Sequence, residues 1–166
     1  MTFQKYNKNL VHYIVSTCII HKDGKFLITK RSPKEKAFPN KWTVPGGKLE
    51  VLDYILKNKD TSSHWYNVLE ELTKREVKEE TDLDIKNMDY ITSMVYIRPD
   101  NIPCLIISLS AEPHSTQISL SEELTEYRWI SLEQAKQYDL IEGIYEELEM
   151  LEKKLKTGSK AEWKRT

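Results

Sequence analysis

The residues with the clearest capacity for chemistry lie in VLEELTKREVKEET, residues 68–81. On a helix turning about 100° per residue, with Leu72 at zero, Val68 falls near −40°, Leu69 near +60°, Glu76 near +40°, Glu79 near −20° and Glu80 near +80°. Three carboxylates therefore prolong the apolar stripe, while Glu70, Lys74 and Lys78 gather on the far side, between about 160° and 240°. Crowded carboxylates raise one another's pKa unless something positive sits among them. An acidic, all-oxygen set suits hard divalent cations such as Mg²⁺ or Mn²⁺, and no His or Cys set in the chain has zinc spacing. Arg75, near −60°, sits beside Glu79, where its planar fork can hold a carboxylate in a fixed orientation. The plainer alternative is that the acids lie past the core and meet only water. It is disfavoured because the lysines that could pair with them are turned away.

The flanking sequence supplies the elements that must position this helix. Residues 9–31 contain two β-rich runs around Asp23-Gly24, a hairpin signal. Residues 32–40, with two prolines and no periodicity, read as a loop, and KWTV as extended chain leading to Pro45-Gly46-Gly47. Residues 48–60 follow no period. The helix is expected over 67–81, with Asn67 and Glu70 at capping-box spacing or with a start nearer Thr61 or Ser62. Residues 89–98 and 102–110 read as strands joined at Pro99-Asp100-Asn101, and TEYRWI as another extended piece. SLEQAKQYDL and a final helix follow, with Ile141, Ile144, Leu148, Leu151 and Leu155 at 3-4-3-4 spacing. That stripe is expected to dock on the core, and it leaves open a coiled-coil homodimer.

Composition limits the classes available. The chain has 166 residues, 39% of them apolar, enough for one domain over 1–155 with a frayed tail at 156–166. With 25 Lys and Arg against 26 Asp and Glu, the net charge is −1, so no basic excess points to long nucleic acid. Cys18 and Cys104 sit singly in apolar runs and read as buried small hydrophobes in a reducing compartment. The N-terminus lacks signal-peptide character and no stretch suits a membrane span, so a soluble, cytoplasmic protein without a membrane partner is expected.

Gly46-Gly47-Lys48-Leu49-Glu50 followed by Arg75-Glu76-Val77-Lys78-Glu79-Glu80-Thr81-Asp82-Leu83 resembles the Nudix box, GX5EX7REUXEEXGU, of the Nudix hydrolases. The order of elements over residues 9–155 is similar to the family layout. The resemblance implies an α/β (α+β) fold, an α/β/α sandwich with a mixed β-sheet between helices. Three departures stand out. Asp53 occupies the position of the first Glu, and residues 54–74 place about 14 extra residues inside the box. Asp82 stands where the motif has glycine, a left-handed helix end that Asp accepts at a cost of about 1 kcal/mol. The inserted YILKNKDTSSHWYN is expected either to shape substrate access or to form a loop tucked by Trp65.

By resemblance, the protein hydrolyses a nucleoside diphosphate linked to a group X through water attack on phosphorus. One to three Mg²⁺ or Mn²⁺ ions would bridge its carboxylates and the phosphates. Carried over by position, Glu76, Glu79 and Glu80 become metal ligands, with the carbonyl of Gly46 as a further oxygen. Arg75 becomes the orienting partner. Glu123, in SEELTEYRWI, best matches a later ligand or base, with Glu126 less well placed and Glu80 itself an alternative base. Arg31, Lys34, Lys36 and Lys48 flank the expected cleft, and Trp42, Tyr96 and Tyr127 are candidates to stack on a base. His12, His21, His64 and His114 form no triad or metal spacing. Two other readings compete: a regulatory domain that binds a small nucleotide-type ligand without turnover, and an RNA-end or cap hydrolase.

Overall fold

Strand β1, Tyr13–Lys22, alternates its apolar residues across two faces and turns back through Asp23 and Gly24 into β2, Lys25–Arg31. Both turn residues have positive φ, 50° and 73°, as a type I′ hairpin requires. The computed structural model describes residue 7, residues 9–159 and residue 163. Further strands are β3 (Trp42–Thr43), β4 (Gly46–Lys48), β5 (Ile85–Ile97), β6 (Pro103–Pro113) and β7 (Leu124–Ile130). Three helices accompany them: α1 (Val68–Thr81), the short α2 (Leu132–Ala135) and α3 (Ile144–Thr157).

The seven strands form one mixed sheet in the order β3-β2-β1-β6-β5, with β4 also paired to β1 and β7 to β2. β1 runs parallel to β6 and antiparallel to β4. Because successive side chains of a strand point to opposite faces, β1 feeds both cores. Cys18 and Ile20 join Val77 of α1 on one side, and Ile19 joins Ile144, Leu148 and Leu151 of α3 on the other. The sheet is thus sandwiched between α1 and the α2/α3 pair. A buried hydroxyl pair, Ser16 Oγ and Thr73 Oγ1 at 2.6 Å, ties β1 to α1.

Several sequence expectations change in detail. The first strand starts at Tyr13 rather than at residue 9. Residues 48–60 contain only a short 3₁₀ turn, Val51–Asp53. Asn67 is the residue before α1, but its backbone is left-handed and its side chain caps nothing, so the capping box does not form. The buried side of α1 is also rotated from the projected stripe. Leu72, Thr73, Val77, Glu80 and Thr81 are buried, which centres that face near +100° rather than on Leu72. Glu80 therefore turns inward and Glu79 outward.

The final stripe docks on the core through Ile144, Leu148 and Leu151, while Leu155 at its end is exposed. Of the expected tail, residues 156 and 157 close α3, and residues 160–162 and 164–166 lie outside the described residues. No described helix is long and apolar enough to cross a membrane. Both cysteines are buried and free, and burial pushes the Cys18 thiol up to about 12, which makes it inert.

Candidate functional site

The site forms where β4 passes under α1. The Gly46 N–H donates to Glu80 Oε2 at 3.1 Å. A Cβ on Gly47 would overlap the carboxylate of Glu76, and one on Gly46 would overlap the carbonyl oxygen of Ser16 on β1. The two glycines thus let the strand lie against the helix acids on one side and against β1 on the other. Gly47→Ala is expected to push only the flexible end of Glu76. Turnover should fall about tenfold while the melting temperature moves by no more than about 2 °C. Steady-state kinetics beside a thermal melt checks both.

Arg75 is the hub of the acids. Its Nε lies 2.8 Å from Asp53 Oδ1, Nη2 is 2.9 Å from Glu76 Oε1, and Nη1 is 3.0 Å from Glu79 Oε2. Asp53 closes the 3₁₀ turn with its other oxygen, which accepts the Glu50 N–H at 2.8 Å. The shorter acid at this box position thereby serves the turn and the arginine at once. It also joins the two halves of the motif across the insertion.

Glu80 differs from its neighbours. It is only 7% exposed. Burial pushes its carboxyl up to about 8, with the negative charges of Glu76 and Glu123 adding to the effect and the Gly46 N–H and Arg31 opposing it. Burial likewise raises Glu76, although Arg75 counteracts this. The loop carrying Glu123 is held in place: Ser121 N–H donates to Glu80 O, and Ser32 N–H donates to Glu123 O. Glu126, by contrast, is engaged by Lys30 at 2.9 Å and Arg128 at 3.0 Å.

At its end α1 takes the left-handed turn expected at Asp82, φ 59°, where Lys78 Nζ reaches both the Asp82 carboxylate and its carbonyl. The lysines projected away from the acids are thus turned outward, and Lys78 serves the helix end.

Beside the acids lies an open cleft of about 850 Å³. Arg31, Lys34, Lys36 and Lys48 line it, as do Arg98, Phe38 and Tyr96. Trp42 does not. It is 8% exposed, edge-on to Tyr138 with ring centroids 5.0 Å apart, and belongs to the core beneath α3, so its ring has no free face for a base. Tyr127 packs on the core beneath α1. Phe38 carried no periodic or motif signal, only its place between two Pro-flanked turns.

The insertion is self-contained. Tyr54 and Trp65 pack at 5.3 Å, Trp65 Nε1 donates to Lys57 O at 3.1 Å, and Lys57 pairs with Glu71. None of residues 54–67 lines the large cleft. Its internal contacts are those of a loop tucked by Trp65.

No three His, Cys, Asp or Glu side chains among the described residues are gathered tightly enough to close on one cation. Arg75 instead gathers Asp53, Glu76 and Glu79 around its own guanidinium. The donor set nevertheless fits a hard divalent cation. It is all oxygen, and its most buried member is destabilised by two neighbouring negative charges that a cation would offset.

A mixed sheet thus lies between helices, with a Gly-Gly strand end packed under an acidic, arginine-centred helix. The NUDIX domain profile matches residues 11–151. Phosphatase NudJ of Escherichia coli K12 is 26% identical over 133 residues, covering 75% of this chain and 72% of that protein. Among solved structures, the MutT protein of Methanosarcina mazei Go1 superposes with a TM-score of 0.63 at 25% identity, over 88% of this chain and 96% of that one. The NUDIX domain of Shewanella oneidensis NrtR, determined with ADP ribose, superposes at 0.67 with 15% identity, over 87% and 89%. The chain belongs to the Nudix hydrolase family.

Proposed function

We propose that the protein is a divalent-cation-dependent pyrophosphohydrolase that cleaves a nucleoside diphosphate linked to a further group X. The observation that carries this reading is the division of charge around one crevice. Buried Glu80 shares α1 with Glu76 and Glu79, and the cleft lined by Arg31, Lys34, Lys36, Lys48 and Arg98 begins at Arg31, whose charge is felt at Glu80. A pyrophosphate would be repelled by the acids alone and attracted by the cations alone. A site with both suits a phosphate held together with a metal ion.

Glu76, Glu79 and Glu80 would hold Mg²⁺ or Mn²⁺, with the Gly46 carbonyl as a further oxygen. When bound, the ion offsets charge developing on the phosphate oxygens and lowers the pKa of a nucleophilic water. The chain's own residues supply the rest. Arg75 keeps Glu76 and Glu79 oriented, and the Gly46 N–H fixes one oxygen of Glu80. Glu123 stands free of the ion pairs that occupy Glu126, so it is the better residue to take the proton of the attacking water. Arg31 and Lys48 line the cleft and would hold phosphate oxygens.

One observation favours a second reading. Arg75 already pairs with Glu76 and Glu79, an arrangement that suits a domain binding a nucleotide ligand without turnover. Incubation with Mg²⁺ and a panel of nucleoside triphosphates, nucleotide sugars, dinucleotides, capped RNA and ADP-ribose separates the two. The hydrolase reading expects a nucleoside monophosphate from at least one small molecule, with capped RNA uncut. Should none be cleaved while one raises the melting temperature, the ligand-binding reading replaces it.

A further inference from the structure

In the cleft beside the acids, Lys34, Lys36, Phe38 and Tyr96 have no part in the hydrolytic chemistry assigned above. Five cations and two acids line it, and both acids are already paired: Glu35 with Arg31 at 2.7 Å and Asp100 with Arg98 at 2.9 Å. Among the described residues, Lys34, Lys36 and Lys48 have no carboxylate partner; Lys48 reaches only the ring of Tyr13, 5.9 Å away. A protein of net charge −1 therefore concentrates three unmatched positive charges in one cleft. Such charges in a concave, partly apolar site attract a polyanion.

At the far side of the cleft, Phe38 and Tyr96 form an aromatic corner, with ring centroids 5.9 Å apart and planes 51° to each other. Both are large rings left 40% and 39% exposed. Phe38 holds a backbone φ of 51°, a left-handed conformation that a bulky side chain adopts only under constraint, and such strain gathers at ligand-binding positions. The tilt leaves an open face on each ring against which a third flat ring can lie.

The loop between β2 and β3 connects the two features. It starts at Arg31, whose charge reaches Glu80, passes Lys34 and Lys36, and arrives at Phe38. The sheet runs the same way. Lys48 on β4 is opposite Val15 on β1, Val15 is opposite Ile106 on β6, and β6 pairs with β5, which carries Tyr96. Three strand spacings separate Lys48 from the strand of Tyr96, about 14 Å. That is the reach of a nucleotide whose phosphate chain is extended.

Resting on the hydrolase reading above, we infer that the 32–40 loop is the specificity element. Phe38, with Tyr96, receives the base, while Lys34 and Lys36 select a substrate with three or more phosphates over one whose X is uncharged. A nucleotide sugar or ADP-ribose confines its charge to the pyrophosphate, which Arg31 and Lys48 would hold at the acids, and offers the two lysines no further phosphate. A nucleoside triphosphate does.

The test is steady-state kinetics with Mg²⁺ on the four nucleoside triphosphates and on ADP-ribose, beside calorimetric binding of α,β-methylene nucleoside triphosphate analogues. The double variant K34E/K36E is expected to raise KM for triphosphates at least tenfold, an effect that weakens at high salt, and to move KM for ADP-ribose less than threefold. Phe38→Ala and Tyr96→Leu should each raise KM for every cleaved nucleotide by about tenfold, the scale of a lost aromatic stack, with circular dichroism unchanged. The inference is overturned if charge reversal changes KM for both substrate types alike or for neither, or if both aromatic variants bind as the wild type does. Absence of all cleavage, with analogue binding still weakened by these variants, would sink the hydrolase reading and leave the specificity element standing.

Discussion

Glu80→Gln is expected to lower turnover by a factor of about 10³ or more and, in the metal-free protein, to raise the melting temperature. Both effects have one origin. Glu80 is buried beside Glu76 and Glu123, and its carboxyl is pushed from 4.5 up to about 8. The folded protein keeps this proton through a pH range in which the unfolded chain has released it. The resulting destabilisation grows between about pH 4.5 and pH 8 and vanishes below that window. Glutamine keeps the oxygen that accepts the Gly46 N–H and removes the ionisation, whose full linkage is about 4 kcal/mol near pH 8; the buried amide takes back part, leaving a net gain of about 2 kcal/mol, or about 4–8 °C. It also removes the charge that a cation requires. Glu79→Gln should show the kinetic loss without the gain in stability, because Glu79 is largely in water. Kinetics at saturating Mg²⁺ together with melts in EDTA read all four outcomes. Full turnover by Glu80→Gln would remove Glu80 from the site.

Glu147→Gln, on the opposite side of the sheet, is expected to stabilise the protein with no effect on the chemistry. Glu147 is 3% exposed on the buried face of α3, and its Oε2 has no hydrogen-bond partner among the described residues. Burial raises its carboxyl from 4.5 to about 7, the charge of Glu146 adds to this, and Ser108 works against it. Below pH 4.5 the folded and unfolded chains both carry the proton and the residue costs nothing. Between about 4.5 and 7 only the folded state keeps it, so stability falls as pH rises and levels off above 7. The full linkage is about 3 kcal/mol, from which the buried amide takes back part. The variant should therefore gain about 1–2 kcal/mol at pH 8 and lose about 1 kcal/mol at pH 4.5, where only the cost of the buried amide remains. Urea titrations at the two pH values measure it. A gain equal at both would show that ionisation is not the cause.

The fold was largely legible because its strongest signals are local. Asp23-Gly24 forms the turn its residue types require, and the 3-4-3-4 spacing of Ile144, Leu148 and Leu151 docks as such a stripe should. The acidic helix and its arginine were legible too, because the REVKEE spacing fixes which side chains share a face. Features set by tertiary context were not. A projection centred on Leu72 put Glu79 inside, whereas buried Thr73 and Thr81, polar residues satisfied by Ser16 and by the helix itself, turn the inward face toward Glu80. Asn67 has a capping residue's identity but takes a left-handed backbone, because the chain enters the helix from the self-packed insertion. Trp42 and Tyr96 look alike as strand aromatics. Only the placement of α2, α3 and the 32–40 loop buries the first and leaves the second at the cleft. Glu147, one residue before Leu148, reads as an ordinary surface charge until β6 is known to lie against it.

Mn²⁺ binding, followed by water-proton relaxation with a saturating α,β-methylene nucleoside triphosphate, decides whether the α1 carboxylates hold the metal. The wild type is expected to bind the ion, Glu79→Gln and Glu80→Gln to bind it at least tenfold more weakly, and turnover to cease in excess EDTA. Wild-type affinity in both variants, or undiminished turnover in EDTA, would contradict the assignment of the α1 carboxylates as the metal-holding centre.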